Sequence, residues 1–414
     1  MHSPLLRHDA LEHGPFVKAH GPSSTTARSA AAAWRHLSTK HLGCVLSVLA
    51  GLALIPQGAA VAADQNTAGK KLVPGHEYLA VTNYPNNLHL IDAQTDTLYK
   101  SCRLPDAFGP GTVQISPDRT RAYVLNNRYG ALYGIELDSC RLVFKAELSQ
   151  KPDERAVGFF SIAVSPDGKS IYSIANRSRR KIDHYVVLEP QLLVFNTGDG
   201  VGAKPVKTFP APRQTTLMQV AKDGSLFVVG PDIYRFDPKT GKHEVAVPLR
   251  NWKREGYGTP DVLYVWPQQR PQGTFNILYT APRFKPGSED PETADVMYGF
   301  VDIDLQTGKH EVTDFAEFSE VFFTGGRSPK DPNQMFGVLN HLGKYDVKQQ
   351  KQIGLADLDH TYYCIAFNQN GSKIYLAGAL KDVAVYDPDS LKKLKTITLP
   401  GGDMAISTAQ MFTR

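Results

Sequence analysis

The chain has 414 residues, a formal charge of +5, 42% hydrophobic and 21% charged residues, which excludes a disordered or fibrous protein. The first 62 residues hold five of the 46 Lys and Arg and two of the 41 acids, so the remaining 352 residues carry only +2. A near-neutral body argues against nucleic acid as a partner.

Arg35 and Lys40 precede an uncharged apolar run at 42–55 (LGCVLSVLAGLALI), and Ala60-Val61-Ala62 follows as a small-residue cleavage site. That order is the order of a secretory signal, and the run is too short to span a bilayer. We expect residues 1–62 to be a removed leader and 63–414 to be an exported, periplasmic domain with no membrane attachment.

From Glu77 the chain shows three short β-type runs, YLAVTN, LHLID and TLYKSC. Four variants of one phrase follow: SPDRTRAYVL (116–125), SPDGKSIYSI (165–174), AKDGSLFVVG (221–230) and NQNGSKIYLA (368–377). In each, a turn of Pro, Asp, Asn and Gly separates two apolar runs, the hairpin pattern. An acidic or Asn residue closes the third run of each unit at Asp92, Asp138, Asn196, Asp237, Asp304, Asp346 and Asp387. Four strands per unit of forty-odd residues is the period of a propeller blade. The expected fold is therefore all-β, a seven-bladed β-propeller. Its first blade lacks one strand, and the C-terminal run 406–412 is expected to supply it and close the ring, since an open edge would be sticky.

Two units are long. Both excesses, at 177–190 and 282–295, fall between a second and a third strand, so both should elaborate one rim, where long loops are often functional. Aromatic pairs mark the starts of innermost strands: Phe159 and Phe160, Phe322 and Phe323, Tyr362 and Tyr363. Side chains alternate along a strand, so one of each pair should pack toward a neighbouring blade or the axis and the other can reach the rim. They serve either as packing between blades or as the apolar wall of a pocket. Arg213 and Gln214, at another blade entrance, either meet a partner or tie blades together. Trp266 reads as core.

The phrases APRQTTLMQVAKDGSLFVVG (211–230), GTPDVLYVWPQ (258–268), LYTAPR (278–283), HTYYCIAF (360–367), LPGGDMAIS (399–407) and MFTR (411–414) carry a resemblance over essentially the whole body of the chain. It resembles the β subunit of quinohemoprotein amine dehydrogenase. The resemblance implies a periplasmic heterotrimer that oxidatively deaminates primary amines. A small subunit would carry cysteine tryptophylquinone, and a dihaem cytochrome c subunit would pass electrons to a soluble redox protein. This chain would hold no cofactor; it would dock the small subunit and help wall the substrate cavity.

The residues agree with such a division of labour. No CxxCH haem motif occurs, and the seven His outside the leader (76, 89, 184, 243, 310, 341, 360) are dispersed, as surface or satisfied rim residues are. We assign no catalytic and no metal-binding residue. Asp261, Asp331 and Asp357 have no recognisable partner, so none is assigned as a base. Two other classes stay open: a secreted, non-catalytic binding module, and a lactonase-type propeller enzyme, which needs convergent acids or His. Cys102, in the outermost strand of the first blade, and Cys140, at a turn of the second, should lie close enough for a disulfide. Cys364 should be a buried, unpaired thiol.

Overall fold

The computed structural model describes residues 69–269, 273–405 and 407–414, with backbone alone for 263–269. The expected leader and Ile406 lie outside the described residues, as does the side chain of Trp266.

Seven antiparallel sheets follow one another along the chain. Blade 1 holds β1 (Glu77–Asn83), β2 (Asn87–Asp92) and β3 (Thr97–Arg103). Blade 2 holds β4 (Thr112–Ile115), β5 (Arg121–Asn126), β6 (Ala131–Glu136) and β7 (Leu142–Glu147). Blade 3 is larger: β8 (Glu154–Val157), β9 (Ala163–Val164), β10 (Ser170–Arg180), β11 (Tyr185–Val187), β12 (Gln191–Asn196) and β13 (Lys207–Pro210). Blade 4 contains β14 (Met218–Val220), β15 (Leu226–Val229), β16 (Ile233–Phe236) and β17 (His243–Val247). Blade 5 contains β18 (Asp261–Gln269), β19 (Thr274–Arg283), β20 (Asp295–Asp304) and β21 (His310–Glu317). Blade 6 is built from β22 (Phe322–Arg327), β23 (Gln334–Leu339), β24 (His341–Asp346) and β25 (Lys351–Asp357). Blade 7 is built from β26 (Cys364–Phe367), β27 (Ile374–Ala377), β28 (Asp382–Tyr386) and β29 (Lys393–Thr398), after which β30 (Ala409–Thr413) returns to blade 1.

The middle strands read as unbroken apolar runs because each sheet is covered on both faces by its neighbours; β15 (LFVV) and β27 (IYLA) are buried throughout. The outermost strand β25 has one face in water and alternates instead. The core is thus a set of slabs between blades. Tyr78, Leu90, Val113 and Tyr133 fill the slab between blades 1 and 2, and Phe336, Phe367 and Leu376 that between blades 6 and 7.

Ring closure is the expected one. β30 pairs antiparallel with β1, Phe412 opposite Tyr78, so the C-terminal strand becomes the innermost strand of blade 1. Blade 2 then latches both ends. Asp138 binds the Arg414 guanidinium at 2.8 Å and accepts the Leu72 N–H at 2.9 Å, while Arg119 Nη1 donates to the Thr413 carbonyl at 2.7 Å. Cys102 and Cys140 are joined in a disulfide, Cα to Cα 5.2 Å, which staples blade 1 to blade 2. Across the other seam, Lys373 and Tyr375 of blade 7 bind Asp96 of blade 1 at 2.7 and 2.6 Å.

Candidate functional site

The loops that enter innermost strands and the turns between second and third strands share one rim, where backbone hydrogen bonds tie them together. Gly158 N donates to Tyr129 O at 2.8 Å, Gly402 N to Tyr84 O at 2.8 Å, Tyr362 N to Leu339 O at 2.9 Å and Phe284 N to Gly256 O at 2.8 Å. Non-glycine residues with left-handed backbones gather here: Asn127, Arg128 and Tyr129 in a row (φ 55, 55 and 61°), Phe160 (54°) and Gln214 (60°). Each such residue costs on the order of 1 kcal/mol or more and persists only where its surroundings hold it.

Both inserts decorate this rim. In blade 3, β10 runs on past the sheet and β11 folds back on it, Arg180 opposite Tyr185, while β8 pairs along its other side, Arg179 opposite Glu154. The result is a three-stranded finger. Arg177 binds Glu154 at 2.7 Å inside it, both largely buried, and Arg180 Nη2 donates to the Pro152 carbonyl at 2.7 Å. At its tip Ile182, Tyr185 and Val187 stand in solvent. β8 was not anticipated from sequence; its four residues pair with a later strand, Val157 opposite Asn176 through Glu154 opposite Arg179, and carry no turn signal of their own. The blade 5 insert is pinned by Arg283 to Glu317 at 3.5 Å and by a Lys285–Asp295 ion pair.

Between the finger and the loop into β14 lies a cleft of about 860 Å³, and it gathers three of the sequence-predicted residues: Phe159, Arg213 and Gln214. Arg213 and Gln214 are exposed, and Arg213 meets Glu189 of the finger at 2.6 Å. A second cavity, about 620 Å³ along the edge of blade 4, is lined by Asp223, Arg235, Asp237 and His243. Two of its acids are already engaged: Arg235 binds Asp223 at 2.5 Å, and Asp237 caps its own turn by accepting Lys239 N–H at 2.8 Å.

The aromatic pairs divide. Phe160, Phe322 and Tyr362 are buried, whereas Phe159, Phe323 and Tyr363 are half-buried. Phe322 packs against Tyr298 and Tyr345 and lies on Gly337 and Gly343, where an added Cβ would come within 2.5 and 2.6 Å of its ring. The Tyr362 hydroxyl donates to Asp382 at 2.7 Å beside His360, whose Nε2 also meets Asp382 at 3.0 Å. Inter-blade packing accounts for Phe322 and Tyr362. Of the half-buried three, Phe323 and Tyr363 stack with centroids 6.1 Å apart, and Phe159 makes an edge contact with Tyr129 at 5.1 Å. Tyr129 went unnoticed in the sequence because it lies in a turn with no partner aromatic; burial pushes its hydroxyl up to about 12.

The segment from blade 4 into blade 5 is held by a buried carboxylate. Asp314 accepts from both Arg254 Nη atoms at 2.8 Å and from the hydroxyls of Tyr257 and Tyr279 at 2.5 and 2.6 Å. Burial alone would raise its carboxyl, but these hydrogen bonds outweigh burial and hold it below the usual range. His341 lies between Glu320 at 2.9 Å and Asp357 at 3.4 Å. His89 departs from the surface-or-rim reading: it is fully buried in blade 1, satisfied by Asn83 Oδ1 and Ser101 Oγ, and burial drives it down to about 4. Among the described residues no group of His, Cys, Asp and Glu is arranged to hold a metal ion. Cys364 is free and buried; its thiol donates to the Ser407 carbonyl at 3.1 Å, and burial lifts it to about 12.

Fold and rim together define a seven-bladed β-propeller with one elaborated face. Solved structures similar to it are varied propellers: a protein of unknown function from Desulfotomaculum acetoxidans (TM-score 0.50, 12% identity, 82% of this chain and 99% of that one), AztD from Citrobacter koseri (0.45, 12%, 81% and 98%) and hydrazine synthase from Kuenenia stuttgartiensis (0.47, 12%, 83% and 99%). At such identities the likeness shows the fold alone. No protein-family model matches the chain, and no curated protein matches its sequence.

Proposed function

We propose that this chain is the non-redox docking subunit of a periplasmic amine-oxidising complex of the quinohemoprotein amine dehydrogenase kind. The reading rests on the phrase resemblance along the chain. The observation that supports it in the molecule is that both inserts and the half-buried Phe159, Phe323 and Tyr363 lie on one rim. There the small quinone-bearing subunit docks, and the half-buried rings wall the space for the hydrocarbon part of a primary amine. The redox chemistry, from cysteine tryptophylquinone to two c-type haems and on to a soluble acceptor, belongs to the partner chains; export by the leader brings this chain to them.

The exported chain, purified alone, is colourless and does not oxidise amines; co-expressed with its two partner chains it supports dye-linked amine oxidation. Amine turnover by the isolated chain would overturn the proposal, and would favour a self-sufficient propeller enzyme.

A further inference from the structure

The cleft beside the finger has a distinctive lining: three guanidinium groups, from Arg177, Arg213 and Arg250, and no carboxylate. Arg177 is committed to Glu154. Among the described residues Arg213 is held by Glu189 alone, with half or more of each side chain in water, a screened pair that a ligand can displace. Arg250 is exposed, and its guanidinium forms no ion pair among the described residues. The neighbouring Asp232 is buried and accepts the backbone N–H groups of Leu249 and Arg250 at 2.8 and 2.9 Å. Gln214, between the two arginines in sequence, is held in a left-handed backbone (φ 60°), the kind of strain that ligand clamps store. The lining also has an apolar part, with Phe159, Val187 and Pro212.

We propose that this cleft is a carboxylate-binding site, in which Arg213 and Arg250 grip the acid and the Phe159–Val187 wall takes the hydrocarbon that carries it. The guanidinium fork matches a carboxylate with two parallel N–H···O bonds, and a volume of this size suits a small acid or a few residues of an acidic segment. Glu189 is then a resident competitor, occupying Arg213 until a ligand arrives. The inference does not depend on amine oxidation, and it survives if that reading fails.

The test uses the full exported chain with two probes, succinate and a labelled N-acetyl-Glu-Leu-Glu-Leu peptide, followed by calorimetry and anisotropy, with the matching Lys-Leu peptide as control. Expected are saturable binding of at least one acidic probe and none of the control, with affinity that falls as salt is added. Arg250→Ala and Arg213→Ala should each weaken binding about tenfold, and Glu189→Gln should tighten it. Binding of the peptide alone assigns the site to a polypeptide, and equal binding of succinate assigns it to a free acid. All three substitutions are at exposed positions, and an unchanged Tm confirms that the fold is intact. No saturable binding of either acid, or binding unaltered in the Arg213→Ala/Arg250→Ala double variant, would overturn the proposal.

Discussion

Replacing Asp314 with Ala removes the anchor of the segment that carries the chain from blade 4 to blade 5. The carboxylate is 1% exposed and accepts four hydrogen bonds, two from Arg254 and one each from Tyr257 and Tyr279. Removing one partner of a buried ion pair costs about 3–5 kcal/mol. Arg254 keeps 32% of its side chain exposed, so the ionic loss lies near the lower end of that range, about 3 kcal/mol. The two stranded hydroxyls add about 1 kcal/mol between them once water has partly replaced the lost partner. The expected loss is therefore about 4 kcal/mol, read as a shift in urea midpoint at constant slope. Asp314→Ala, Arg254→Met and their double variant form a cycle whose coupling should be about 2 kcal/mol or more. The carboxyl is held low, so its contribution is present above the unfolded value of about 4 and fades as pH falls through the lower folded value. The deficit of the variant should shrink accordingly in acid. A loss under about 1 kcal/mol with no coupling would refute the anchor.

Opening the Cys102–Cys140 bridge with a double Ala variant, which frees a 38-residue separation, should cost about 4 kcal/mol in the chain-entropy account. In thiol titrations the exported chain should show no reactive group when native at pH 8, one when denatured and three when also reduced; three without reduction would end the bridge. Because His89 falls from 6.5 to about 4 on folding, stability present above pH 6.5 should be lost as pH falls toward 4, by roughly 3 kcal/mol, and His89→Gln should flatten that slope; an identical slope in the variant would contradict the burial argument. In the assembled complex, Phe323→Ala or Tyr363→Ala should raise KM about tenfold for bulky amines and little for short ones. Phe322→Ala should instead cost about 3–5 kcal/mol of stability without size selectivity, and the same selectivity from all three would overturn the division.

Several features are legible in the sequence because their causes are local. The repeated SPDG-type phrases are turns that cap themselves: Ser165 Oγ donates to Asp167 at 2.6 Å, Asp167 accepts Lys169 N–H at 3.0 Å, and Gly168 supplies the left-handed residue. In the second blade Arg119 takes that glycine's place at φ 59°, a cost offset by its bond to the closing strand. The acidic marks at the ends of third strands work likewise: Asp304 accepts Gln306 N–H at 2.7 Å, and Asp387 accepts Ser390 N–H at 2.7 Å. Asp138 carries the same mark for another reason, since it holds Leu72 and Arg414 instead of its own turn.

What sequence reading missed depends on pairing at a distance. Arg254 and Asp314 are sixty residues apart, and nothing near either names the other. The finger needed β8, and the cleft beneath it exists only where that finger and the β13–β14 loop come together. The aromatic pairs were found, but which ring of each pair is buried depends on the local backbone. Phe322 sinks over two glycines of its own blade, and the ladder shifts register between Phe322 and Thr324, leaving Phe323 half-buried.

The most direct test of the proposed role is to recover the tagged chain from the periplasm of its native host and identify what accompanies it. The account predicts a red complex with two partners, a small chain bearing a quinone made from its own Cys and Trp and a chain with two covalently bound c-type haems. Recovery of the propeller alone and colourless, from cells that are actively oxidising primary amines, would contradict it.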